Sequence, residues 1–143
     1  MSHTVKDYMD KSIATADAGV TVFEASKMMA DDKKGYLIVL ERDQVLGIVT
    51  EKDLVRKVMA KGADPSKVRI SEIASTPLLV VDPDETIENA VKTMAENKVR
   101  RLPVMRTGIL YGIFGDRELA LHFNEYEDMI TRDMIRHMAI YSC

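Results

Sequence analysis

The chain has 143 residues, 46% of them hydrophobic and 30% charged, with a formal net charge of −3. That make-up fits one compact globular domain, or two small units sharing a core. Interspersed signs argue against a nucleic-acid surface, and no run approaches the ~18 apolar residues of a membrane span, so neither nucleic acid nor membrane is expected as a partner. One cysteine, Cys143, excludes an internal disulfide. With no apolar leader-like stretch in the first residues, the expected location is cytoplasmic.

In chain order, residues 4–10 read as a short helical lead with Val5, Tyr8 and Met9 on one side, and 13–16 as a short strand. Thr21-Val-Phe-Glu24 is a capping box, with Thr21 as N-cap and Glu24 three positions on. It opens a helix over 22–32 whose inward face is Val22, Ala25, Met28 and Met29. Gly35 breaks the pattern. Tyr36–Leu40 is a buried strand, 41–44 a turn, and Val45–Val49 the second strand of a hairpin. Thr50 caps a helix over 51–61 that ends at Gly62, and Ala63-Asp-Pro-Ser-Lys67 is a linker.

The same order then recurs. A lead helix falls within 68–75, a short strand at 78–81, and a helix at 87–97 capped by Thr86. Strands follow at 102–105 and 110–114 around a Thr107-Gly108 turn, then a helix at 116–123. Sliding residues 5–54 forward by 65 positions lays them on 70–119 without a gap, with 12 identities in 50 pairs. Asp17/Asp82, Thr21/Thr86, Ala25/Ala90, Met29/Met94, Gly47/Gly112 and Leu54/Leu119 are among them. Two copies are too few for a solenoid. The expected fold class is α/β: two tandem β-α-β-β-α units packed about a pseudo-two-fold axis, plus a C-terminal helix. The expected boundaries are 5–62, 68–123 and 124–143. In the last segment Tyr126, Met129, Ile130, Met134, Ile135 and Met138 follow helical spacing, and the helix either folds back on the core or meets a partner.

Each copy carries Asp-x-x-x-Thr-h-x-x-Ala (17–25 and 82–90) and a later Gly-h-h-x-x-x-acidic-Leu (47–54 and 112–119). Together with Val99-Arg-Arg-Leu-Pro-Val104, these motifs resemble a tandem pair of cystathionine-β-synthase-type (CBS) domains, a Bateman module, over residues 5–121. The resemblance implies a regulatory ligand-binding module and not an enzyme. Its expected ligand is an adenine nucleotide, AMP or ADP foremost, then ATP, with S-adenosylmethionine or NAD-type ligands as alternatives. No cofactor is required, and a homodimer is implied.

The family's ligand motif falls on Gly47-Ile48-Val49-Thr50-Glu51-Lys52-Asp53. A carboxylate such as Asp53 can accept from the paired hydroxyls of a ribose. A Thr50 hydroxyl at a helix start suits a phosphate. A few charge-assisted bonds plus base burial would reach micromolar affinity, about −8 kcal/mol. The same Thr-x-x-Asp spacing also makes a capping box that needs no ligand. The second copy reads Gly112-Ile-Phe-Gly115-Asp-Arg-Glu118, without the hydroxyl and with a longer acid. Conversely, Arg100 and Arg101 stand where the first copy has Gly35 and Tyr36, and guanidinium groups suit phosphate. The expectation is a composite site of Thr50 and Asp53 with Arg100 and Arg101, assisted by Lys52, and a degenerate second site. The family pattern places the adenine at Ser12, Ile13, Ala14, Tyr36, Leu37, Ile38 and Val39, residues that serve equally well as core.

His3, His122 and His137 lack metal-ligand spacing, and no phosphate-binding loop or nucleophile elbow occurs. The rival reading is a dimerisation or partner-binding scaffold with a vestigial nucleotide site, whose 125–141 helix engages an unknown protein.

Overall fold

The computed structural model describes residues 3–122 together with 135, 136 and 138. The expected 125–141 helix therefore lies outside the described residues, apart from helical Ile135, Arg136 and Met138. Met138 is buried in the core cluster of Val5, Tyr8 and Phe114, with Ile135 packed against it. Among the described residues, no helix is long and apolar enough to cross a membrane.

The elements are α1 (Val5–Tyr8), β1 (Thr15–Asp17), α2 (Val22–Asp32), β2 (Tyr36–Glu41), β3 (Gln44–Thr50), α3 (Glu51–Asp53), a π-helical stretch (Leu54–Met59), α4 (Ile70–Ile73), α5 (Ile87–Asn97), β4 (Arg101–Arg106), β5 (Ile109–Gly115) and α6 (Asp116–Leu121). They form two compact units. The repeat-one unit is Ile13–Leu78; the repeat-two unit joins the chain up to Ser12 with the chain from Leu79 onward.

In the repeat-one unit, β1-β2-β3 is a mixed sheet, parallel between β1 and β2 and antiparallel between β2 and β3. The Thr21 hydroxyl accepts from the Glu24 N–H at 3.1 Å and starts α2 as the capping pattern predicts. Val22, Ala25 and Met29 are buried, while Met28 is half-exposed. The helix ends at Lys33, in the left-handed region at φ 55°, two residues before Gly35. The hairpin turn uses Arg42 and Asp43, both at positive φ. Two such central residues make the tight turn that matches strand twist.

In the repeat-two unit, α5 starts at a Thr86 cap and also ends on a left-handed lysine, Lys98. Thr107 and Gly108 repeat the positive-φ turn between β4 and β5. The strand expected at 78–81 does not form. Only a single parallel bridge remains, Val81 to Val104, and Leu79 and Val80 are exposed. Two prolines account for this. Ile38, the first-repeat counterpart of Pro103, donates its N–H to the Ala14 carbonyl at 2.9 Å, and Ala18, the counterpart of Pro83, donates to the Leu40 carbonyl at 2.8 Å. Proline has no N–H to give, so in the second repeat pairing starts one residue pair later and stops one pair earlier.

The compact units and the sequence repeats divide the chain differently, because each repeat lends its lead to the other's unit. Val5 N–H bonds the Glu85 carbonyl and Ile70 N–H the Val20 carbonyl, each at 2.9 Å. Asp10 exchanges two backbone bonds with Ile113, and Ser75 N–H bonds the Ile48 carbonyl at 2.9 Å. These are the same bonds, made reciprocally. They also explain the repeated glycine: a Cβ on Gly47 would lie 2.6 Å from the Ser75 oxygen, and one on Gly112 2.8 Å from the Asp10 oxygen. The incoming lead requires a bare backbone there. One ion pair adds to α1's attachment, Lys6 Nζ lying 2.6 Å from Asp84, and Arg106 of β4 holds the same loop through Asp82 and Asp84.

Candidate ligand site

Thr50 ends β3 and Asp53 lies three residues into the helix that follows. Thr50 is extended, at φ −124° and ψ 165°, and acts as the N-cap. Its N–H donates to Asp53 Oδ2 at 2.8 Å and its hydroxyl to the same oxygen at 3.1 Å; the Asp53 N–H returns a bond to Thr50 Oγ1 at 3.4 Å. The capping box foreseen from the spacing is therefore closed. The second carboxylate oxygen, Oδ1, faces Lys57 Nζ at 3.2 Å. Asp53 is 13% exposed, so its charge is held at the edge of the fold and not in bulk solvent.

The strand register brings Tyr36 opposite Thr50, and the Glu51 N–H bonds the Gly35 carbonyl at 3.1 Å. Ala14 donates its N–H to the Tyr36 hydroxyl at 3.3 Å and accepts from Ile38. Ala14, Tyr36, Thr50 and Asp53 thus come together in one unit through β1, β2 and the end of β3. Leu37, Ile38 and Val39 are fully buried in that unit, as core residues would be. Ile13 is half-buried and Lys52 exposed.

Ser12, Arg100 and Arg101 belong to the other unit. Ser12 N–H bonds the Asp10 carboxylate at 2.9 Å. Arg100 donates through Nε to Asp116 at 3.0 Å, so this arginine already holds a carboxylate. Arg101 begins β4, opposite Gly115.

The corresponding turn of the second repeat is built differently. Gly115 approaches so closely that a Cβ there would lie 2.4 Å from the Arg100 carbonyl oxygen and 2.9 Å from Arg101 Cβ. A threonine does not fit where Gly115 sits. Glu118 is buried, and burial pushes its carboxyl above the usual range. The nearby Asp10 charge adds to that rise and Arg117, 3.5 Å from Glu118, opposes it.

Sequence reasoning missed Lys57, although its spacing of four from Asp53 on a helix is the signal for such a pair. It also missed why Gly115 must be glycine, which depends on a neighbour fifteen residues away in sequence. A groove of about 440 Å³ lies between α2 and the start of the next helix, lined by Met29, Lys33, Lys34, Glu51, Leu54 and Val55 among others; neither Thr50 nor Asp53 lines it. Among the described residues, no cluster of His, Cys, Asp and Glu could hold a metal ion.

A family model described as "CBS domain" matches residues 5–60 and 70–125. The chain is similar to the CBS domain-containing protein YhcV of Bacillus subtilis, 32% identical over 119 residues that span 83% of this chain and 84% of the relative. The structure of a hexameric CBS-CP12 protein from bloom-forming cyanobacteria superposes with a TM-score of 0.79 at 33% identity, covering 95% of this chain and 78% of that one. Hypoxic Response Protein I, described with two coordinated zinc ions and matching a Mycobacterium tuberculosis protein of that name, gives 0.74 at 29% identity, covering 84% and 98%.

Proposed function

Because the chain belongs to the CBS-domain family, whose members without an attached enzyme are regulatory or sensory modules, we propose that it senses an adenine nucleotide, AMP or ADP foremost, at Thr50 and Asp53 of the first repeat. One observation carries this reading: the hydroxyl and the carboxylate stand together at a helix start beside Tyr36 and Ala14, whereas in the second repeat the hydroxyl has no room. Asp53 is placed to take the ribose hydroxyls, Thr50 a phosphate oxygen, and the β1–β2 edge the base. Lys52, Ile13, Leu37 and Ile38 complete the proposed set within this unit.

The module acts by binding and not by catalysis, and self-association is part of the reading. The cyanobacterial relative is hexameric, and the repeat-one unit exposes Phe23, Val55 and Met59, at 51%, 59% and 67%. A second reading, a scaffold with a vestigial site, draws on the capping box, which is complete without a ligand.

Calorimetric titration with AMP, ADP, ATP and S-adenosylmethionine separates the two. The nucleotide reading expects heat with AMP or ADP in the micromolar range. Asp53→Asn, which keeps an acceptor for the cap, should weaken binding at least tenfold with little change in thermal stability. Absence of heat with every ligand leaves the scaffold. A larger loss from Glu118→Ala than from Asp53→Asn assigns the site to the second repeat instead.

A further inference from the structure

The environment of Lys57 extends the nucleotide reading and rests on it. Asp53 offers its two oxygens unequally. Oδ2 is taken by the Thr50 N–H and hydroxyl, which fix the helix start. Oδ1 meets the Lys57 ammonium at 3.2 Å. The same ammonium donates to the Ile73 carbonyl at 2.9 Å. Ile73 closes α4, the lead contributed by the second repeat. Lys57 therefore ties the proposed ribose acceptor to the exchanged lead helix.

The helix between the two residues is suited to this. Residues Leu54–Met59 are π-helical, and Ala60 N–H reaches back five residues to the Val55 carbonyl at 2.8 Å. Residues four apart on a helix are neighbours on its surface, which lets Lys57 reach Asp53. Lys57 is 44% exposed, so its head can leave into water at little cost, whereas Asp53 is held by the cap.

We propose that Lys57 is an occupancy latch: it occupies Asp53 Oδ1 in the empty site, is displaced by the ribose hydroxyls, and in leaving releases the Ile73 carbonyl at the end of α4. A ribose diol donates two hydrogen bonds, and with Oδ2 committed to the cap at least one must compete with Lys57. Ligands without a free diol gain nothing from displacing it. The latch thus costs affinity to ligands that displace it, and only those ligands release the Ile73 carbonyl. Occupancy is reported through one backbone carbonyl to a segment belonging to the other repeat.

The test is calorimetric titration of AMP and of 2′,3′-dideoxyadenosine monophosphate into the wild type, Lys57→Met and Lys57→Gln, with the Ile73 carbonyl ¹³C resonance followed by NMR. A partly exposed ion pair is worth up to about 1 kcal/mol, so Lys57→Met should bind AMP about two- to fivefold tighter. Lys57→Gln, uncharged but still a donor, should fall between. In the wild type AMP should shift the Ile73 resonance toward its position in free Lys57→Met; the dideoxy compound should leave it in place. An unchanged or weaker AMP affinity in Lys57→Met, with wild-type binding intact, overturns the latch alone. A wild type that binds no AMP removes the nucleotide reading, and the latch with it.

Discussion

The two repeats share their helices, hairpins and caps but differ at the points where a neighbour presses on them. At the edge of β2, Ile38 bonds the Ala14 carbonyl, Ala18 bonds the Leu40 carbonyl, and β1 forms; in the second repeat Pro103 and Pro83 have no N–H to give and the matching strand shrinks to one bridge. At the helix start, Thr50 carries a side chain that reaches Asp53; Gly115 sits so close to Arg100 that no side chain fits. A duplicated fold keeps its burial pattern and is free to lose local polar bonds in one copy. The copy that keeps β1 and the hydroxyl is also the copy with the better claim to a ligand.

Exchanging the differing residues tests that contrast. The largest effect should come from Ile38→Pro, which removes the bond to Ala14 and much of a fully buried side chain; about 2–5 kcal/mol of stability should be lost on urea unfolding. The reverse change, Pro103→Ile, should leave stability nearly constant, since the new bond is offset by a freer unfolded chain. It should still give residue 103 a slowly exchanging amide. A fast-exchanging amide there would mean that something besides the proline prevents the strand.

Next in size is Gly115→Thr. Its Cβ would overlap the Arg100 carbonyl, and a cost of about 2–3 kcal/mol is expected in the same experiment. Thr50→Gly, the mirror change, should cost only a few tenths. Equal costs would show that the two turns are interchangeable and that Gly115 records drift, not constraint.

The smallest effect concerns Glu118 and is read against pH. Its carboxyl is raised above the ordinary 4.5 by burial, so the folded protein holds a proton that the unfolded chain has released. Stability then falls as pH rises through the window above 4.5. Glu118→Gln should flatten that fall.

Most of the fold was legible because its signals are local. Thr21 and Thr86 announce α2 and α5 through their caps, and the apolar spacing of Val22, Ala25 and Met29 selects the buried face. The hairpins were legible from apolar runs flanking polar turns. The exchange of leads was not, since bonds such as Val5 to Glu85 join residues far apart and leave no period in the sequence. The missing strand was written in Pro83 and Pro103 but becomes readable only once Ala18 and Ile38 are known to donate at those positions. The Thr50–Asp53 capping box was legible in its spacing, whereas a ligand role for the pair came only from the family resemblance. Leu37 and Ile38 show the limit of that approach, because an apolar strand reads the same whether it lines a ligand or a core.

The reciprocal loan of leads has a consequence for ancestry. A single ancestral repeat could not have completed its own sheet edge, because the segment that fits beside Gly47 comes from the other copy, as does the one beside Gly112. Such a repeat would have been whole only by trading its first dozen residues with an identical chain. Tandem duplication then turns an intermolecular trade into an intramolecular one, and cutting the chain at the linker leaves two halves that must find each other again to be complete.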